Sequence, residues 1–516
     1  MNIFPRPKPR PTPGSPLKVS PKPASIGSEW QQPWPRLDAT ITVLIGLVVT
    51  GFFLASGGPN RFPSAMAHTT AIGVGCSLLL SFAFEARSGL KNLVRADLMG
   101  ILALYYLTLY EFLFPQPFFD AQIQSPIATE KALWAVVLAL ACMAIGRHFI
   151  PRGRQPFTDV MTRPVRPGVL VWLFWGSFFL GYLHVLLGVN FDLVKLVDYL
   201  TRPRFEQPWG RGKFGDWKAL INELSLLLYF IPPLTGLVLA RRERFSMVVI
   251  ATTLLGFGWT LFYGFCGGTR NLFGAYLVTF MIAFAFASSV ERRRQVVIVC
   301  AASAVAFALA TNAMLEMRTV GFQRWWKGEF TTYANRQSAA VFVDDNLLAI
   351  AKIADYFPAK HEFLGLEIPY LAAVRPIPRA LWKGKPEGLS VSVEEDVFEM
   401  KGLTISSTFV GEGYMSGGLF GVGAYALVLG ALAGLWNRMA SPRNSELGIL
   451  IYASGFFAVV ITMRSVMTLT TALLTPAAGV LVGMLMFKGA RRVLGRTPAA
   501  ARPGGRRAIP RRKPPS

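Results

Sequence analysis

Residues 361–421 gather the side chains best suited to chemistry. The passage opens with His361, runs through LEIPYLAAVRPIPRALWKGKPEGLS with Arg375, Arg379 and Lys385, and ends in TFVGEGYMSGGLFGVG, where Glu412 stands as an apolar stretch begins. Arginine meets phosphate oxygens through paired N–H groups and keeps its charge at every physiological pH, so clustered arginines suit an anionic, phosphate-bearing ligand. A carboxylate or a histidine among them suits proton transfer.

The rest of the chain reads as the scaffold that holds this passage at a membrane surface. Of 516 residues, 52% are hydrophobic and 16% charged, a balance that belongs to the membrane class. Twelve apolar runs near the length that crosses a bilayer recur, at 39–56, 65–85, 98–114, 132–150, 168–188, 219–240, 246–266, 271–289, 295–315, 410–436, 447–463 and 466–487. In lipid only helices or a closed barrel satisfy the backbone, and these runs lack the alternation of barrel strands. The sequence therefore predicts an all-α polytopic membrane protein.

A net charge of +24 invites a nucleic-acid reading, but the placement of the charge argues against it. With a cytoplasmic N-terminus, the short even-numbered loops hold three, five, three, three and two Lys/Arg, and the short odd-numbered loops hold about one each. Both tails are basic as well, with six cations before residue 38 and ten after 487. That is the positive-inside pattern, and it predicts both termini in the cytoplasm, lying against anionic lipid rather than nucleic acid. The four cysteines have no metal-ligand spacing and read as buried free thiols.

The predicted organisation is a basic tail over 1–37 and nine spans within 38–315, including a basic outer loop at 189–218. A large outer loop at 316–409, three spans within 410–487 and a second basic tail over 488–516 complete it. The two outer loops break the charge rule, with six and eleven cations. Together they predict an electropositive chamber; solvated loop surface is the plain alternative for any single cation. The first loop begins with FDLVKLVDYL, whose apolar residues recur at helical spacing and suit a helix on the membrane surface. Further charges fall near membrane depth: Glu111, Glu223, Arg270, Arg318, Glu412 and Arg464, all toward the predicted outer side.

PIPRALWKGKP (376–386), followed by GEGYMSGGLFGVG (411–423), resembles strings found in bacterial oligosaccharide repeat-unit polymerases, the Wzy-type O-antigen and exopolysaccharide polymerases. GGTRN (267–271) is similar to a string of theirs too, and the arrangement of spans and outer loops agrees. The resemblance implies an integral-membrane glycosyltransferase fold and transfer of glycan from undecaprenyl diphosphate to a lipid-linked acceptor repeat at the outer face of the bacterial inner membrane. It implies no metal or other cofactor. As partners it implies the lipid-linked oligosaccharide, membrane lipid, a chain-length regulator and a flippase.

On that basis the diphosphate ligands are expected among Arg211, Arg270, Arg318, Arg324, Arg375 and Arg379, with Lys385 in support. Glu412 and His361 are the candidate bases, Glu412 standing equally well as an acid that stabilises a helix N-terminus. Asp344 and Asp345 read as a helix-capping or surface pair. An O-antigen ligase remains an alternative within the class. A lipid-linked sugar transporter is the alternative outside it; broken helices and an internal repeat would mark it, with Pro232 and Pro233 the one candidate break.

Overall fold

The computed structural model describes residues 34–57, 62–123, 125–149, 157–209, 218–329, 343–379, 381–382, 384–386, 388–400 and 405–494. Over these residues the chain is all helical. The principal helices are α1 (Leu37–Ala55), α2 (Pro63–Ala86), α3 (Ala96–Thr108), α4 (Pro126–Gly146), α5 (Pro167–Gly188), α6 (Leu193–Leu200), α7 (Ile231–Ala240) and α8 (Met247–Cys266). They continue with α9 (Arg270–Ala287), α10 (Arg293–Val320), α11 (Asn346–Tyr356), α12 (Glu367–Val374), α13 (Thr408–Asn437), α14 (Glu446–Arg464) and α15 (Leu469–Leu494).

Helix starts follow local chemistry. Proline stands in the first turn of α2, α4, α5 and α7, where its missing N–H costs nothing. Ser125, Ser246 and Ser445 accept backbone N–H bonds as N-caps of α4, α8 and α14.

Among the described residues, eleven helices are long and apolar enough to cross a membrane, so the polytopic all-α expectation holds. The predicted run at 98–114 differs. Its helix, α3, has 13 residues and rises about 20 Å, short of a bilayer core of about 30 Å. The chain then tightens into a 3-10 turn, Tyr110–Leu113, ahead of Pro115 and Pro117. The weakly marked run at 447–463 is, by contrast, the most enclosed span, with 83% of its apolar window buried as α14.

Two neighbouring cores form. One joins α1, α2, α3, α4 and α13 around Leu133, Leu140 and Val422, and the other joins α5, α7, α9 and α14 around Phe174, Leu234 and Phe456. Where α4 meets α13, Gly146 lies on the Leu427 carbonyl and Gly430 on the Met143 carbonyl, so neither position has room for a Cβ. The large loop shares the first core: Leu347, Ile350 and Ile353 of α11 are fully buried in it.

The predicted span at 410–436 is broken. Gly418 takes φ +60° and ψ −145°, a backbone conformation that side chains resist, and α13 divides there. The break frees two carbonyls, and the N–H groups of Leu364 and Gly365 donate to Met415 (2.8 Å) and Ser416 (3.1 Å). A glycine-rich string thus docks the large loop onto a membrane helix. The part beyond the break, 419–437, still rises about 28 Å. Pro232 and Pro233 mark a second irregularity, where the 3-10 run Leu224–Phe230 gives way to α7.

At the end opposite the large loop, Arg95 and Arg147 are fully buried, although their positions count toward the positive-inside pattern. Arg95 Nε pairs with Asp97 at 3.0 Å, and Arg147 Nη1 lies 3.3 Å from Glu85 and 3.8 Å from Asp97. Asn437 of α13 donates to Asp97 and accepts from the Ala96 N–H at 2.7 Å. This network ties α2, α3, α4 and α13 together at one level.

Candidate functional site

At the loop end of the bundle, Arg270 begins α9 and Arg464 ends α14. Their guanidiniums converge on one carboxylate: Asp344 Oδ2 lies 4.0 Å from Arg270 Nη2 and 3.7 Å from Arg464 Nη2. The three side chains are 17%, 31% and 29% exposed, with Arg270 the deepest. Arg270 Nη1 is fully enclosed and has no hydrogen-bond partner among the described residues.

The two arginines differ in their local electrostatics. Arg464 sits at the negative end of its helix dipole, which favours a cation. Arg270 sits at the positive end of α9, which disfavours one. It stands there because the Gly267–Gly268–Thr269 turn, with Gly268 at φ +59°, closes α8 and opens α9 within three residues. An enclosed guanidinium at a helix N-terminus calls for negative charge, and Asp344 supplies it.

Asp344 is itself positioned from the 3-10 turn that follows α3. Glu111 Oε2 accepts the N–H of Val343 at 2.8 Å and that of Asp344 at 3.4 Å. Asn346 Nδ2 donates to the Leu107 carbonyl at 2.9 Å, pinning the start of α11 to the same helix end. Asp345 occupies the N-cap position of α11, but its side chain makes no capping hydrogen bond, so the expected capping role is not met there. Asp344 is instead the counter-ion of two arginines.

The turn after Arg464 connects this cluster to Glu412. Glu412 Oε1 accepts the Ser465 hydroxyl at 2.5 Å and Oε2 accepts the Val466 N–H at 2.5 Å, while Arg375 lies within electrostatic reach. Ser406 adds a bond to the Arg464 carbonyl at 3.2 Å. Glu412 therefore anchors the α14–α15 turn, and both of its oxygens are engaged. The expected alternative, an acid stabilising the N-terminus of its own helix, is not met: Glu412 lies beyond the first turn of α13 and serves a turn between two other helices.

The string PIPRALWKGKP folds into a clasp after α12. Lys385 Nζ donates to the carbonyls of Arg375 and Ile377, both at 2.8 Å. Arg379 donates in return to the carbonyls of Lys385 (3.3 Å) and Pro386 (3.2 Å). Partial burial, with Arg379 and Arg375 close by, lowers the Lys385 ammonium below its ordinary range. Three of the expected phosphate ligands are thus neighbours. The α12 end is tied to α15 by Thr470, whose hydroxyl donates to the Ala372 carbonyl.

Other expected residues fall elsewhere. Arg324 is 70% exposed with Glu329 at 4.0 Å, and its segment docks on the first basic loop through Gln323, whose amide donates to the Thr201 hydroxyl at 2.9 Å. The two basic loops therefore touch, but Arg324 makes none of the contacts of the Arg270 pair. His361 Nδ1 faces the Glu362 carbonyl at 2.7 Å and its ring packs against Phe357 at 5.6 Å, apart from the arginine cluster's contacts. Arg211 lies outside the described residues, as does the side chain of Arg318.

Sequence reasoning named Arg464 and Asp344 but gave neither a place in the site. The signal was present in the charge of Arg464 between two apolar runs; its partner, 120 residues away in sequence, was not legible. Comparisons with protein-family models, with curated proteins and with solved structures return no match for this chain.

Proposed function

We propose that this protein polymerises lipid-linked oligosaccharide repeat units, moving a growing glycan from undecaprenyl diphosphate onto a lipid-linked acceptor at the outer face of a bacterial inner membrane. The observation that carries it is the convergence of Arg270 and Arg464 on Asp344, with Arg270 Nη1 enclosed and unpartnered. Guanidiniums fixed at a bilayer boundary are suited to the charge that develops on a diphosphate leaving group. The clasp of Arg375, Arg379 and Lys385 stands on the same side, with Arg375 within electrostatic reach of Glu412 and the preceding helix end tied to α15 by Thr470. The resemblance of the clasp and of the glycine-rich string to the polymerase family supports the same reading.

The broken helices favour a second reading, a lipid-linked sugar transporter. The break at Gly418 lies at the loop end of α13 rather than at mid-membrane, which weighs against it. Deletion of the gene separates the readings by gel analysis of surface glycan. A polymerase leaves single repeats without long ladders. A ligase leaves long polymer on the lipid carrier, and a transporter removes surface repeats altogether.

A further inference from the structure

We propose that Asp344 takes the proton from the acceptor hydroxyl, and that the diphosphate releases it for that task by taking Arg270 and Arg464 from it. The inference rests on the polymerase reading and adds a catalytic residue to it.

Four other titratable groups at this end are committed elsewhere. Glu412 has both oxygens bonded to the Ser465–Val466 turn. Glu111 is 5% exposed and holds the backbone of Val343 and Asp344. His361 is turned to the Glu362 carbonyl beside Phe357. Glu367 accepts from the Ser390 N–H and hydroxyl at 2.5 and 2.7 Å. Asp344 combines a partly exposed carboxylate with ion pairs to two guanidiniums suited to a diphosphate.

In the structure the Asp344 carboxylate is held by two guanidiniums rather than by an acceptor hydroxyl. A diphosphate competes for the same two groups with more oxygens and more negative charge. Once it holds them, the Asp344 carboxylate is released from both ion pairs and left to face the acceptor hydroxyl. The acceptor oxygen then bonds to the anomeric carbon of the donor glycan as its proton passes to Asp344. The bond from that carbon to the diphosphate oxygen breaks, and its electron pair stays with the departing diphosphate. Asp344 returns the proton to water. Asp344 is thus freed only with donor in place.

The test uses the full-length protein carrying Asp344→Asn or Asp344→Glu, with inorganic pyrophosphate as the probe in calorimetry and surface-glycan ladders read at matched protein abundance. Asp344→Asn removes the competing charge, so pyrophosphate binds about tenfold more tightly than to the wild type. Ladder formation nevertheless falls about 100-fold or more, and Asp344→Glu restores part of it. Wild-type ladders from Asp344→Asn overturn the proposal. So does loss of pyrophosphate binding in that variant, which would make Asp344 a holder of the arginines and nothing more. Failure of the polymerase reading looks different: normal ladders in the deletion strain, whatever pyrophosphate does, would overturn both.

Discussion

Glu412 and Ser465 meet across two helices: the carboxylate of one accepts the hydroxyl of the other at 2.5 Å, next to the Val466 N–H that the same carboxylate also accepts. The bond fixes the turn that carries Arg464 to Asp344. Glu412 thus serves the site by holding its frame.

Replacing Glu412 by Ala leaves a partly buried N–H and hydroxyl without their acceptor, at about 1 kcal/mol each. Glu412→Gln presents a donor to a donor at one oxygen position and loses part of the same energy. Both variants are expected to unfold at lower temperature, with ladders reduced only in proportion to surviving protein. Abolished ladders in a Glu412→Gln variant of wild-type stability would instead make Glu412 a base.

Asp97 is the counter-ion of buried Arg95 and lies within 3.8 Å of buried Arg147. Asp97→Asn leaves two enclosed guanidiniums with Glu85 as the remaining carboxylate of the network, at a cost of about 3–5 kcal/mol. Thermal unfolding in detergent should show a marked fall in midpoint. An unchanged midpoint would mean that the network does not hold the helices.

The adjacent glycines of the break give a matched pair. Gly418 has φ +60°, and an added Cβ would lie 3.2 Å from the Phe363 ring, so Gly418→Ala is expected to cost about 1–3 kcal/mol. Gly417 has φ −179° and nothing within 4 Å of an added Cβ, so Gly417→Ala should be neutral. Equal midpoints for the two variants would remove the backbone argument.

Lys385 closes the clasp through two carbonyls at 2.8 Å. Lys385→Met should leave overall stability within about 1 kcal/mol, since the ammonium is near the surface. Limited proteolysis within 376–386 should become faster, and ladders weaker. Unaltered proteolysis would show that the clasp does not depend on that ammonium.

Helical class and eleven of the twelve expected spans were legible because bilayer length and apolar composition act over whole segments. The loop-end gathering of Arg270, Arg464, Glu111 and Glu412 was legible in part, because charge between apolar runs is costly unless it lies at a boundary. What could not be read were pairings across long sequence separation. Arg95 and Arg147 look like lipid-facing cations until Asp97 and Glu85 are found beside them. Gly418 looks like one more small residue in an apolar run until its φ is known. Asp344 reads as a capping acid because Arg270 and Arg464 reach it only in three dimensions.

Surface glycan from cells whose only copy carries Arg270→Gln together with Arg464→Gln tests the central claim most directly. At wild-type protein abundance, the account predicts single repeats and no ladder. A wild-type ladder from that double variant would contradict it.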